Sequence, residues 1–229
     1  MKKVLFLLFV FFTMADSLNA QTMLNGLMDN FRFNKITEGT YSRNNLKLTD
    51  IQGTPYLDEE FIPGKITTGE GVVYTDIPLR YNGYSDELEF QKGVDSYIFD
   101  PKTIVKRAEF GGLVFGCMEY YEGKKIQNGF FGILAMGKAT LLVKYTVKFL
   151  EKEAVKAFVE PKPARFDPPV KDYYLTIDGT PANFISGKKG LLELFGTHKG
   201  EMESFISKNK LSIKKDNDLT KIVVYFNGL

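Results

Sequence analysis

Apolar and polar residues alternate with a period of two through the middle of the chain, then change to a helical period toward its end. Between Val72 and Tyr81, the residues Val73, Thr75, Ile77, Leu79 and Tyr81 fall on one face of a predicted strand. Glu87-Leu-Glu-Phe90 alternates with Leu88 and Phe90 inward. Leu141, Val143, Tyr145, Val147 and Phe149 share one face, with Lys144, Thr146 and Lys148 on the other. Further strands are predicted over 61–67, 96–99, 103–110, 113–120 and 129–136. Gly69–Gly71, Asn82-Gly83, Lys92-Gly93, Asp100-Pro101, Gly111-Gly112 and Gly137-Lys138 supply the reversals between them. Pro63 and Pro78 interrupt two strands, which predicts an edge or a bulge at each. This pattern describes an antiparallel meander, and a sheet of this length must curl, close or be covered.

The flanks differ. Met23, Leu24, Leu27, Met28 and Phe31 are spaced for a short amphipathic helix, either docked on the body or mobile as a leader for it, and the polar stretch Asn34–Asn45 suits a linker. Residues 151–171 carry charges and then Pro161, Pro163, Pro168 and Pro169, the composition of an extended connection. Tyr173–Asp178 and Ala182–Ile185 form one more hairpin. Beyond it Leu191/Leu194/Phe195, Met202/Phe205/Ile206 and Leu219/Ile222/Val223/Phe226 repeat the helical spacing, with Ser186, Thr197 and Asn217 or Asp218 as candidate caps. Ile222–Phe226 also reads as a strand. The expected division is a leader at 1–20, an N-terminal segment at 21–52, a β body at 53–150, the connection at 151–171, and a hairpin with short helices at 172–229. The fold class is mainly β (α+β): an antiparallel β-meander, as a curved sheet or small barrel, with a short helical C-terminal unit.

The leader changes the picture most. Lys2 and Lys3 precede an apolar run from Val4 to Met14, and Leu18-Asn-Ala20 ends on a small residue. That is the pattern of a secretory signal peptide cut before Gln21. The apolar run is shorter than the roughly 20 residues of a membrane span, and no later run is long enough. Export makes the single cysteine informative, because Cys117 alone cannot form an internal disulfide. By alternation it shares a face with Leu113 and Phe115, as a small buried hydrophobe would. The formal net charge of +2 gives no field that selects nucleic acid.

Candidate chemistry is sparse. His198 is the only histidine, so a histidine-based triad has one possible member, placed at a helix start. One Cys and one His far apart do not make a zinc site. Neither a metal nor another cofactor is expected, and no catalytic residue is assigned. Carboxylates at Asp58-Glu-Glu60 and at Asp86, Glu87 and Glu89 leave a carboxylate-only hydrolase as the weakest alternative. The Lys208, Lys210, Lys214 and Lys215 run reads as a solvated face. Tyr120-Tyr121, Phe130-Phe131 and Tyr173-Tyr174 place aromatics on both faces of their strands. Either the second face is covered, with the C-terminal helices the first choice, or it lines an apolar cavity. Tyr81, Tyr84, Tyr120, Phe130 and Tyr145 are the candidate ligand-binding residues, and Arg80, Asp86 and Glu87 the candidate partner-binding ones.

Pro55-Tyr-Leu-Asp-Glu-Glu-Phe-Ile-Pro-Gly-Lys65, Tyr74-Thr-Asp-Ile-Pro-Leu-Arg-Tyr-Asn82, Asp86–Phe90 and the ending from Lys188 to Asn227 resemble a group of exported proteins common in Bacteroidota. The group is uncharacterised and carries no catalytic residues across. The resemblance implies a Gram-negative envelope, in the periplasm or associated with the outer membrane. The expected role is a non-enzymatic binding or adaptor module for an envelope protein. The alternative is a carrier of a small hydrophobic molecule.

Overall fold

The computed structural model describes residues 23–31, 33–36, 46–152 and 162–229. The leader, most of the polar linker and the charged part of the proline-rich connection lie outside them. A helix, α1 (23–30), leads into β1 (Asn34–Lys35). A meander follows: β2 (Ile62–Thr68), β3 (Val73–Asn82), β4 (Glu87–Lys92) and β5 (Asp95–Ile98). The chain then crosses back, and β6 (Val105–Phe110) pairs with the free side of β2. A second meander adds β7 (Leu113–Glu122), β8 (Lys125–Ala135) and β9 (Ala139–Thr146). A separate ladder joins β10 (Phe149–Leu150) to β11 (Arg165–Phe166). The chain returns as β12 (Val170–Ile177) beside β9, with β13 (Asn183–Phe184) beyond it. One open sheet of 11 strands results, in the order β1-β5-β4-β3-β2-β6-β7-β8-β9-β12-β13. Its ladders are antiparallel throughout, as the meander pattern predicts.

Local chemistry sets the breaks. Gly111 and Gly112 both take positive φ, 57° and 74°, and close the β6–β7 hairpin between the paired Phe110 and Leu113. Pro63 lies opposite Pro78. Proline has no N–H to give, and each ladder stops beside one: β2–β6 begins beyond Pro63 at Lys65, and β3–β4 ends at Leu79 before Pro78. The even alternation expected for β3 does not hold. The partners of Tyr74 and Ile77 are Ile66 and Gly64, so β3 carries an extra residue, and Asp76 there has φ 56°. The bulge exchanges the faces, burying Tyr74 and leaving Val73 exposed.

The sheet curls. Although β3 and β9 stand far apart in strand order, the Tyr81 hydroxyl lies 3.4 Å from the Tyr145 carbonyl, and the Val147 N–H donates to the Gly83 carbonyl at 3.0 Å. Ile77, Leu79, Tyr81, Leu88, Phe90, Phe115, Phe130, Val143 and Tyr145 fill the hollow side. Leu24 and Leu27 of α1 pack onto this core, as their spacing predicts, and Asn30 Nδ2 donates to the Tyr74 hydroxyl at 2.9 Å.

The C-terminal helices α2 (Lys188–Leu194), α3 (Lys199–Lys208) and α4 (Asp216–Asn227) pack on Ala139, Leu141 and Leu175. Leu141 and Val143 share a face of β9, so the helices lie on the same side of the sheet as the main core. Ile222–Phe226 is therefore helical. The expected caps differ: Gly187, His198 and Lys215 occupy the N-cap positions with no side-chain bond, and Asp218 instead accepts the Ser212 N–H. Asn227 fixes the last helix with a pair of bonds, accepting the Ala139 N–H at 2.7 Å and donating to its carbonyl at 2.8 Å.

The opposite face is covered differently from the first expectation. Tyr120, Phe131, Leu142 and Tyr174 form a small cluster with Ala182, in the turn of the last hairpin. Ala182 also bridges to Tyr120, exchanging main-chain bonds with Glu119 and Tyr121. The sheet thus bends one way around Phe115 and the other way around Phe131. That double bend, rather than the helices, explains aromatics on both faces of β7, β8 and β12.

Candidate functional site

The ladder between β8 and β9 ends early. Its last pair is Gly132 with Val143, although both strands run on. The β3–β4 turn, 83–86, fills the gap. Asn82 shapes the turn by accepting the N–H groups of Tyr84 and Ser85 on its side-chain oxygen. Gly83 faces β9, with its carbonyl taking the Val147 N–H. A Cβ at Gly83 would lie 3.0 Å from Val147 Cγ2 and 3.1 Å from the Tyr145 carbonyl, so the close approach favours glycine, and any side chain there would push β9 away by a few tenths of an ångström. Asp86 faces β8 and has φ 56°, a left-handed conformation that Asp tolerates better than most residues.

The Asp86 carboxylate replaces the missing strand. Its Oδ1 accepts the Phe130 N–H at 3.2 Å and the Tyr81 hydroxyl at 2.9 Å. Its Oδ2 meets Lys102 Nζ at 2.6 Å and Lys144 Nζ at 3.0 Å. The Lys144 contact is too poorly aligned for a hydrogen bond, and its Nζ is sealed from solvent. That ammonium also stands 4.8 Å from the Tyr120 ring centre and 4.6 Å from that of Phe131. Gly129 makes room, since a Cβ there would lie 2.7 Å from Lys144 Nζ and 2.9 Å from the Tyr120 ring.

Burial shapes the acid–base properties. It lowers the Lys144 pKa, and the neighbouring Lys102 charge adds to that, against the pull of Asp86. Burial raises Tyr81 well above the usual tyrosine range, helped by the Asp86 charge and hydrogen bond. Tyr120 is pushed up to about 12 and the Cys117 thiol to about 11, both chiefly by burial. Cys117 pairs with Phe130 across β7–β8, and its thiol stays protonated at neutral pH. The arrangement is an ionic joint of one carboxylate and two ammonium groups, holding two parts of the sheet together through hydrogen bonds.

Five sequence-chosen residues meet here: Tyr81, Asp86, Tyr120, Phe130 and Tyr145. Three lie elsewhere. Tyr84 is outside the seam, its ring 5.5 Å from that of Phe166 and 6.3 Å from that of Phe149. Arg80 points to the opposite face, between the Tyr56 and Phe61 rings at 3.6 and 4.1 Å. It binds Glu89 Oε2 at 2.6 Å, and Glu89 is only 1% exposed. Burial raises the Glu89 pKa even so, with Arg80 opposing. Glu87 accepts the Ser85 hydroxyl at 2.6 Å. Of the other carboxylates considered, Asp58 accepts the Glu60 N–H, and the Glu59 carbonyl accepts from Arg80. His198 lies 3.8 Å from Glu201 and edge-on to Phe226. Among the described residues no group of three His, Cys, Asp or Glu is placed to hold a metal.

Sequence reasoning passed over Lys102 and Lys144. Lys144 was placed, with Thr146 and Lys148, only on the face opposite Leu141, Val143 and Tyr145. Its signal, weak but present, is a lysine opposite a strand whose neighbours carry aromatics on both faces. The chain matches no protein-family profile, no curated protein and no solved structure.

Proposed function

We propose that the chain is an exported cell-envelope protein, periplasmic or associated with the outer membrane, that acts as a non-enzymatic binding or adaptor module. The observation that carries this reading is the division of labour around the seam. Lys102, Lys144 and Asp86 are engaged in joining β8 to the β3–β4 turn, while the end of the β7–β8 hairpin, residues 121–128, stands exposed. The hollow side of the sheet holds the protein's own rings, such as Tyr81 against Phe115 at 4.9 Å, which supports a binding surface over a ligand cavity. No helix among the described residues is long and apolar enough to cross a membrane. The leader pattern at 1–20 supports export.

Native mass spectrometry of the protein, purified gently from its own envelope, tests the reading. The expected spectrum contains the chain with a bound protein. A bound mass of lipid size would replace the module with the carrier of a hydrophobic molecule.

A further inference from the structure

The split between β8 and β9 also leaves part of a strand edge open. In an antiparallel sheet, alternate residues send their N–H and C=O groups to the same side. The Phe130 N–H points away from β7, to Asp86. The main-chain groups of Asn128 and Ile126 therefore point that way too. The β9 ladder does not reach them, and Asp86 takes only Phe130. Among the described residues, nothing pairs with the main chain of Ile126 or Asn128 on that side. Side chains from Tyr121 to Asn128 are exposed.

We propose that this edge of β8 is the docking site for an extended acidic peptide segment, which adds to the sheet as a strand; the proposal rests on the binding-module reading. The alternating donors and acceptors of Ile126 and Asn128 match an extended main chain and little else. Tyr121 and Ile126 are cross-strand partners, 40% and 53% exposed, and offer an apolar contact on one face. With Glu119 opposite Asn128 and Glu122 opposite Lys125 counted against Lys102, Lys124, Lys125, Lys144 and Asp86, the charge beside the edge stays positive by one and favours an acidic partner. Lys124 and Lys125 stand at the tip, with Glu122 opposite Lys125. At the base Lys102 and Lys144 share the carboxylate of Asp86; Lys144 Nζ is sealed from solvent, so the partly exposed Lys102 is the ammonium there that an incoming carboxylate can approach.

The test uses the purified, processed protein and a fluorescein-labelled synthetic peptide of about eight residues alternating Val and Glu, read by anisotropy. Asn128→Pro removes one edge N–H without touching the β7 ladder, a position where a strand tolerates proline. The expected result is saturable binding that weakens with added salt. Binding is expected to fall by about tenfold or more in Asn128→Pro and for a Val–Lys peptide. Circular dichroism and melting of Asn128→Pro are expected to match the parent. Should that variant not fold, the doubly substituted Lys124→Glu, Lys125→Glu protein is expected to show the same loss. Equal binding by parent and variants, or no binding at millimolar peptide, overturns the proposal, and native mass spectrometry still tests the module reading separately. A dimer in sedimentation that Asn128→Pro dissolves also overturns it, by assigning the edge to a second copy.

Discussion

Replacing Asp86 tests the seam directly. Asp86→Ala removes the acceptor for the Tyr81 hydroxyl and the Phe130 N–H, and the counter-charge for Lys102 and Lys144. Taking one partner from a buried ion pair costs about 3–5 kcal/mol, because the remaining charge is left uncompensated. The Asp86, Lys102 and Lys144 side chains are 19%, 26% and 13% exposed. Solvent therefore screens part of the interaction, and the lower end applies, about 3 kcal/mol. Alanine at φ 56° adds strain. For a chain of this size a loss of 3 kcal/mol lowers Tm by about 6–12 °C.

Two further variants separate the causes. Asp86→Asn keeps an acceptor oxygen and tolerates the left-handed backbone, so its loss reports the charge alone, about 1–2 kcal/mol. Adding Lys144→Met to Asp86→Ala removes the stranded ammonium and is expected to recover about 1–2 kcal/mol of the loss. Urea unfolding followed by far-ultraviolet circular dichroism measures all three. A loss below about 1 kcal/mol in Asp86→Ala would refute the seam as a stabilising joint. No recovery in the double variant would refute Lys144 as the stranded charge.

Four other outcomes follow from the same structure. Gly64→Ala is expected to cost about 1–3 kcal/mol, since its Cβ would lie 2.6 Å from the Glu109 carbonyl and 2.7 Å from Phe110 Cβ; Gly200→Ala in α3 meets nothing within 4 Å and is expected to gain about 0.5–1 kcal/mol, both read from urea midpoints. Asn227→Ala leaves the Ala139 N–H and C=O unpaired and is expected to cost about 1–3 kcal/mol, with faster amide exchange at the start of β9. Tyr120 holds its proton to about pH 12 when folded, against 10.0 unfolded, so its contribution is complete below pH 10.0 and is lost as pH rises toward 12; Tyr120→Phe is expected to flatten that part of the alkaline limb in thermal melts.

Much of the architecture was legible because it follows from local period. Alternation placed Leu79, Tyr81, Leu88 and Phe90 on the core face, paired glycines placed the β6–β7 turn, and 3.6-residue spacing placed α1 and α4. The failures have one kind of cause. The β3 bulge at Asp76 exchanged the faces of Val73 and Tyr74, and a bulge leaves no mark in a pattern that reads smoothly through it. The covering of Phe131 by the last hairpin, not by helices, depended on Ala182 reaching β7 from more than sixty residues away.

The candidate site divides along the same line. Tyr81, Phe130 and Tyr145 were found because each is a ring on a strand, and strand rings converge when a sheet curls. Asp86 was chosen as a surface group and proves to be the joint, because its turn enters a split that only the tertiary fold creates. Lys102 and Lys144 were missed for the reverse reason. A lysine in a turn, as Lys102 is, or in a strand, as Lys144 is, is normally solvated, and its burial needs a carboxylate brought from elsewhere in the chain. Here that carboxylate is Asp86, about sixty residues before Lys144. The cost of burying Lys144 and the early end of the β8–β9 ladder are therefore one fact seen from two sides. The ladder can stop at Gly132 because Asp86 takes the Phe130 N–H, and Asp86 can lie there because Lys102 and Lys144 neutralise it.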